Sequence, residues 1–542
     1  MGGAEEPDTA AKRAIEAQQW TILSRVVFFS GVAISAFLMF WGAWERRWIA
    51  DDGLIVLRTV RNLLAGNGPV FNVGERVETN TSTAWTYIVY AFSWLSQVRL
   101  EYVVLTIALV LSTSTIVLAM LGTARLYRRG SFASGGTLLL MPAGVLVYIA
   151  VPPARDFATS GLETCLVIFW IALLWLLMIR WSQQASPSTA SVLILAFTAG
   201  MGPLVRPELA ILAALSLAMI FFAQGLTVAV RVAMVVVAGI VPVAYQIWRM
   251  GYYALPYPNT AVSKDAGGAK WAQGFAYLWN LVGPYLLWLP LLFLLIGAII
   301  AYRGRDKLLE SGVRHTDGGR VALLRSSLRT QKAVVAFILV SGLILALYSL
   351  RVGGDFMHGR VLLPVLFCFI VPVAVVPLRI PDRSSWGRNK ETSVFLTTAF
   401  LWFGTALWAF FRREYHRDAG RRRRRAFRHR RRTRVLRSQY GPRAPDSCRG
   451  LPRLPAYARH GSGHREHPRR WPAPPGRRLQ LLVRRSTAPT DSGRRCRTHR
   501  LLPEPRHDEY ERQSRRTGPR PDGTRLSTCR AHRTLGRRQN RP

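Results

Sequence analysis

Cysteine is scarce in this chain, and two common classes of motif are missing from it. Of the five cysteines among 542 residues, Cys165 and Cys368 lie in apolar stretches and the others lie near the C-terminus, so no disulfide framework is indicated. No zinc-ligand spacing occurs. No Walker A loop occurs either, so nucleotide hydrolysis is not indicated.

Long apolar runs are missing from residues 412–542, whereas residues 1–411 contain many. A helix needs about 20 predominantly apolar residues to cross a bilayer. The composition therefore predicts two unlike parts. A cytoplasmic segment, 1–19, and a polytopic membrane domain, 20–411, precede a tail, 412–542.

The tail carries most of the charge. Arg421–Pro542 contributes +29 of the net charge of +43, with 37 arginines and eight acidic residues. It contains no lysine, isoleucine or methionine. Too few aliphatic side chains are present to build a core, so a disordered tail rich in Arg and Pro is expected. Because the basic charge is local, we expect no specific nucleic-acid partner.

Eleven apolar runs qualify as membrane spans, which predicts an all-α bundle of about 11 transmembrane helices. The runs are 20–44, 102–122, 134–152, 163–179, 189–204, 209–224, 226–248, 277–302, 333–350, 361–378 and 393–411. The pair 189–204 and 209–224 is short, and it could be a hairpin that does not fully cross. Counting the apolar run Trp85 to Val98 as a span would place the basic cluster 125–129 outside, so we interpret it as an interfacial or half-inserted helix.

Basic loops set the predicted orientation. Lysines and arginines cluster at 12–13, 125–129, 303–332 and 379–390, which we assign to the cytoplasm. The first span is followed by Glu45 rather than by a small-residue cleavage site, so it is expected to remain as an anchor. The N-terminus is then cytoplasmic, and the polar loops and C-terminus are extracytoplasmic in the plasma membrane.

The adjacent carboxylates Asp51 and Asp52 follow the first span, in the longest outer loop, 45–83. Carboxylates at a membrane face are costly to desolvate, and they are usually kept where they bind a cation or move a proton. The alternative is that Asp52 caps the helix that follows it. Leucine and valine recur on one face of residues 54–64, with Arg58 and Arg61 on the other, as expected for an interfacial helix.

Two other outer loops concentrate polar chemistry. Arg155 and Asp156 are adjacent in one of them, where a structural salt bridge is as good an explanation as a site. The loop 351–360 combines Asp355, His358 and Arg360 with three glycines. Arginine suits phosphate because its guanidinium donates paired charged hydrogen bonds. Asp355 and His358 could ligate a divalent ion, although a lone histidine more often only forms hydrogen bonds.

Several long stretches carry a resemblance to a known family. They are Trp48 to Tyr87, Val147 to Glu163, Val205 to Ala210 and Gly353 to Leu363. In this order they resemble the membrane half of the mycobacterial terminal β-(1→2)-arabinofuranosyltransferases. The resemblance covers roughly residues 40–411.

The resemblance implies a GT-C membrane glycosyltransferase. Such an enzyme would transfer arabinofuranose from decaprenylphosphoryl-arabinofuranose to the ends of arabinan in arabinogalactan and lipoarabinomannan. Family members are expected to use the aspartates of the first outer loop as catalytic or metal-binding groups, and these match Asp51 and Asp52. For the donor phosphate we expect Arg360, Arg206 and Arg155. For a divalent ion we expect Asp51 with Asp355 and His358.

The tail departs from that family, whose members continue into an extracytoplasmic domain after the last span. Codons for two stretches of the tail can be rephased into family-like sequence, so we expect a change of reading frame before about residue 426. A membrane transporter or flippase of a lipid-linked sugar is the alternative function, because a span broken at Arg206 would suit one. No inverted repeat is visible, however, and the polar residues gather in the outer loops.

Overall fold

The computed structural model describes residues 7–128, 137–259, 268–309, 325–381, 387 and 390–411. All of them belong to one compact unit, Met1–Ala444. The expectations for the tail, 412–542, lie outside the described residues, as does the start of the segment 1–19.

Six helices in the described part are long and apolar enough to cross a membrane. They are α1 (Pro7–Glu45), α4 (Leu100–Arg128), α7 (Thr164–Gln183), α11 (Val228–Tyr253), α14 (Gln331–Val352) and α16 (Lys390–Phe411). These correspond to six of the eleven predicted spans. The chain is therefore a mostly helical, multi-pass membrane protein.

The described residues do not confirm eleven spanning helices. The predicted span 277–302 is two helices, α12 (Trp271–Tyr285) and α13 (Trp288–Leu309), which meet at 84° and add at most a seventh span. The bend follows Pro284, which cannot donate a helical hydrogen bond, and a left-handed Leu286.

The predicted spans 189–204 and 209–224 are shorter apolar helices. They comprise α8 (Thr189–Gly200), α9 (Gly202–Val205) and α10 (Ala210–Phe222). Pro203 and Pro207 lie where this segment breaks, and Arg206 between them is extended.

Two predicted helical spans contain strands instead, so the all-α prediction was wrong in this detail. Strand β1 (Thr137–Pro142) pairs antiparallel with β2 (Val375–Ile380), from Thr137 opposite Ile380 to Pro142 opposite Val375. Only short helices accompany the strands: α5 (Gly144–Ala150) and α6 (Pro152–Asp156) after β1, and α15 (Leu363–Ile370) before β2. Prolines interrupt both stretches, and pairing satisfies backbone groups that a broken helix leaves open.

The directions of the elements bring the polar loops together. Pro142 lies against Gly31 of α1, and Arg155 lies against Gly42, so the segment from β1 to α6 runs alongside α1 in the same direction. Helices α4 and α7 run together in the opposite direction, with Trp175 donating to Thr123 and Gln183 to the Arg125 carbonyl. We call the end of the bundle where α1 finishes and α7 begins the loop end.

Two helices at the loop end were predicted, one from an amphipathic pattern and one from the apolar run Trp85 to Val98. Helix α2 (Asp51–Leu64) and helix α3 (Thr83–Ser96) have 14 residues each, so neither is long enough to span a bilayer. Both segments are helical, as predicted. Ser82 caps α3 by accepting a hydrogen bond from the Trp85 backbone N–H.

Candidate active site

Asp51 and Asp52 form the first turn of α2. The N-cap residue is Ala50, so Asp52 is not the cap that the alternative interpretation required. The Asp52 backbone N–H donates to Asp51 Oδ1 at 3.0 Å. Asp51 is exposed and Asp52 is half-buried. The positive end of the helix dipole accommodates both negative charges at this position.

The turn 157–163, between α6 and α7, holds the start of α2 in place. The Ala50 N–H donates to the Ser160 carbonyl at 2.9 Å. A Cβ on Gly53 would lie 2.7 Å from that same oxygen, so only glycine allows this approach. Trp85 of α3 donates its indole N–H to the Gly161 carbonyl at 2.8 Å. The two aspartates are therefore held by buried backbone contacts rather than by a free loop.

Helix α2 buries Gly53, Val56, Leu57, Thr59 and Val60 against the protein. Leu54 and Leu64, on the predicted apolar face, are exposed on the protein surface, where a helix lying in the membrane interface would meet lipid. Arg58 and Arg61 are exposed. The close contact at Gly53 fixes which side of the helix meets the protein.

Arg206 lies at the centre of a buried ionic network. Its Nη1 is 2.7 Å from Glu163 Oε1 and its Nε is 2.6 Å from Glu208 Oε1. Burial opposes the charge, but Glu208, Glu163 and the nearby Asp355 outweigh it and hold the pKa of Arg206 above its ordinary value. An arginine balanced by two carboxylates fixes the break between α9 and α10 against the start of α7.

Arg360 forms the second buried ion pair. Its Nη2 is 2.6 Å from Asp355 Oδ2, and both side chains are less than a tenth exposed. The Nε of Arg360 is buried without a hydrogen-bond partner among the described residues. Gly354 in this loop has a φ of +80°, and a Cβ there would lie 2.4 Å from the Tyr277 ring. The loop is thus packed closely, and it leaves the Arg360 Nε without an acceptor among the described residues.

Arg155 and Asp156 have different partners and do not pair with each other across helix ends. Asp156 pairs with Arg46 at 2.5 Å and accepts the Trp48 indole N–H through its carbonyl at 2.7 Å. Arg155 is buried and donates to the Ala150 carbonyl at 3.3 Å. These contacts join the end of α1 to α6, which favours a structural role for both residues.

His358 lies beside Tyr285, with 3.1 Å between its Nε2 and the phenol oxygen. Burial lowers the pKa of His358, although Asp156 acts in the opposite direction. Among the described residues, no group of three or more His, Cys, Asp or Glu is arranged to hold a metal ion. Asp51, Asp355 and His358 are therefore not gathered into one ligand set, and the metal stays a prediction.

The structure adds a buried charge cluster that the sequence did not single out. Glu78 is 5% exposed, accepts a hydrogen bond from Tyr245 at 2.7 Å and pairs with Arg249 at 2.9 Å. Burial raises the pKa of Glu78, while Tyr245 and Arg249 act to lower it. The cluster fixes the loop before α3 to the end of α11. The sequence feature that could have indicated this cluster is Arg249, an arginine near the end of an apolar span.

The fold and this loop end define a multi-pass membrane protein with carboxylates and buried arginines on one side. No family model matches the chain. It is 52% identical over 394 residues to the terminal beta-(1->2)-arabinofuranosyltransferase of Mycobacterium tuberculosis, over 71% of this chain and 62% of that protein. It is 40% identical over 418 residues to the protein of the same name from Corynebacterium glutamicum, over 73% of this chain and 58% of that protein.

The chain is therefore homologous to these arabinofuranosyltransferases over most of its length, which confirms the resemblance. It spans about three-fifths of the relatives it matches. A solved structure, ArnT from Cupriavidus metallidurans bound to undecaprenyl phosphate, is similar with a TM-score of 0.39 and 15% identity. That likeness covers 69% of this chain and 62% of the other, and it carries no argument about fold or ligand.

Proposed function

We propose that this protein is a membrane arabinofuranosyltransferase of the GT-C class. It moves arabinofuranose from decaprenylphosphoryl-arabinofuranose to the ends of cell-wall arabinan, in arabinogalactan and lipoarabinomannan, with β-(1→2) linkage. The observation that carries the proposal is the 52% identity to a relative of that name over 71% of the chain. The position of Asp51 and Asp52 at the start of a non-spanning helix at the loop end supports it.

The proposed orientation places the loop end on the extracytoplasmic side of the plasma membrane and the N-terminus in the cytoplasm. The lipid donor reaches the loop end laterally from the bilayer, and the acceptor arrives from the aqueous side. This orientation is supported by the clusters of lysine and arginine in the sequence, which the positive-inside rule assigns to the cytoplasm.

The chemistry assigned to the site is displacement of a phosphate leaving group by an acceptor hydroxyl. Arg360 offers its remaining donor to the departing phosphate, whose developing charge needs preorganised cations. Arg206 and Arg155 act on the phosphate only through the elements that they position. Asp51 or Asp52 accepts the hydroxyl proton or holds a cation, and the two roles are not divided between them.

Anomeric configuration limits the base assignment. If the donor and product are both β, configuration is retained, and one direct displacement assisted by a base gives inversion. We therefore assign Asp51 and Asp52 to the site because of where they lie. Acting as a base is one of their two possible roles, and holding a cation is the other.

Transfer of labelled arabinose tests the proposal. The chain, and a version with the reading frame restored before residue 426, would be placed in liposomes with prenylphosphoryl-arabinofuranose and an arabinofuranosyl oligosaccharide. We expect a lengthened, labelled oligosaccharide from the restored version, and none when Asp51 and Asp52 are both asparagine. Movement of the labelled donor across the bilayer without a covalent product would favour the flippase alternative.

A further inference from the structure

Asn80, just before α3, has an acceptor that the protein does not use. It is 7% exposed, and its Nδ2 donates to Thr86 Oγ1 at 3.2 Å. The Thr86 hydroxyl donates in turn to the Ser82 carbonyl at 3.0 Å, so it can only accept from Asn80. This fixes the orientation of the amide. Asn80 Oδ1 is left buried without a hydrogen-bond partner among the described residues.

The neighbouring side chains make the surroundings of Asn80 strongly polar. Thr79 Oγ1 is also buried without a hydrogen-bond partner in the described part of the chain. Glu78, the residue before Thr79, contacts Tyr245 and Arg249. A buried acceptor left unsatisfied destabilises a fold, so such atoms in a native protein usually meet water or a ligand.

Aromatic rings flank the same side chains. The ring of Tyr87 in α3 meets the ring of Tyr245 edge-on, with centroids 6.4 Å apart. The Arg249 guanidinium lies 4.9 Å from the centroid of the Tyr245 ring. The Glu78 cluster offers a carboxylate, a phenol, a guanidinium and aromatic surface, and the unused acceptor of Asn80 lies two residues along the chain. Such groups suit a small polyhydroxylated ring, whose hydroxyls donate while its carbon face packs on a side chain.

These residues and the aspartates are held by one short turn. Trp85, in the first turn of α3, donates to the Gly161 carbonyl, and Gly53 packs against the adjacent Ser160 carbonyl. Helix α3 and the start of α2 therefore have a fixed relation to each other.

We propose that Asn80, with Glu78 and Tyr245, binds the hydroxyls of a pentofuranose ring, so that these residues form a sugar subsite at the loop end. The identity of the sugar rests on the proposed function, whereas the binding of a hydroxylated ring rests on the unused acceptor. The ring belongs either to the lipid-linked donor or to the acceptor chain.

Binding to three probes tests the subsite on the full chain in lipid nanodiscs. Farnesylphosphoryl-arabinofuranose carries both phosphate and sugar, farnesyl phosphate carries no sugar, and an arabinofuranosyl disaccharide carries no phosphate. We expect Asn80→Ala to weaken binding of one sugar-bearing probe about three- to tenfold, the effect of one hydrogen bond, and to leave farnesyl phosphate unchanged. The affected probe identifies the ring as that of the donor or of the acceptor.

Two further variants keep the test decisive. Tyr245→Phe removes the phenol hydroxyl that donates a hydrogen bond to Glu78, and we expect it to weaken binding of the same probe. This variant replaces Asn80→Ala in the test if Asn80→Ala fails to fold. Asn67→Ala, an exposed asparagine in the same outer loop, is the matched control and should bind like the wild type.

Equal affinities in wild type and Asn80→Ala would mean that water satisfies the acceptor, and they would overturn the proposal. Equal losses for all three probes, or no binding of either sugar-bearing probe to the wild type, would overturn it as well. Binding by the full chain, together with no transfer of arabinose by the version with the restored reading frame, would instead refute the proposed function and leave the subsite standing.

Discussion

Removing the charge of Arg206 should destabilise the protein strongly, because it removes the cation that pairs with buried Glu163 and half-buried Glu208. Their side chains are 8% and 20% exposed, so water compensates only partly for the loss. Breaking one buried ion pair by removing one partner costs about 3–5 kcal/mol. For Arg206→Met we expect a melting temperature lower by on the order of 10 °C.

The measurement is thermal unfolding in detergent micelles, with matched variants. Arg99→Met, which breaks the exposed pair with Glu101, should cost less than about 1 kcal/mol. The triple variant with Arg206→Met, Glu163→Gln and Glu208→Gln should recover much of the loss, since no uncompensated charge remains. If Arg206→Met melts like the wild type but needs more donor for the same rate, Arg206 binds phosphate and the structural assignment is refuted.

Four further outcomes are expected. Asp51→Asn or Asp52→Asn should abolish transfer while leaving the melting temperature nearly unchanged, and near-normal turnover in both would remove them from the mechanism. Arg360→Ala should raise the donor KM more than the acceptor KM; the reverse would reassign the residue. The pKa of His358 is lowered from 6.5 in the folded protein, so the stabilising contribution of neutral His358 is complete above pH 6.5 and is lost as the pH falls below it. His358→Gln should therefore reduce the fall in melting temperature on acidification. Restoring the reading frame before residue 426 should increase transfer, and equal activity of the two versions would contradict the expected role of the tail.

The long helices could be predicted because their signal is local. Each of the six has a continuous apolar run, and hydropathy alone locates it. The paired strands could not be found in this way, since Pro142 and Val375 are adjacent only in the fold. An apolar strand and an apolar helix segment have the same composition, and the prolines were the remaining hint.

The candidate site shows the same division between local and distant information. Asp51 and Asp52 stand out because two carboxylates follow a span. The partners of the arginines do not stand out in the sequence, because they are distant along the chain. Arg249, for example, contacts Glu78 across 171 residues. The side of α2 that meets the protein was also unpredictable, since it depends on the contact between Gly53 and the Ser160 carbonyl.

The paired strands also constrain how the protein is made. Thr123 donates to the Val371 carbonyl across 248 residues, and Trp402 donates to the Pro142 carbonyl across 260. During synthesis the first strand is made long before its partner exists, and an unpaired strand leaves backbone hydrogen-bonding groups without partners. The early part of the bundle therefore stays incomplete until the later strand arrives. Ribosome stalling at residues between the two strands should leave an assembly intermediate that is sensitive to protease.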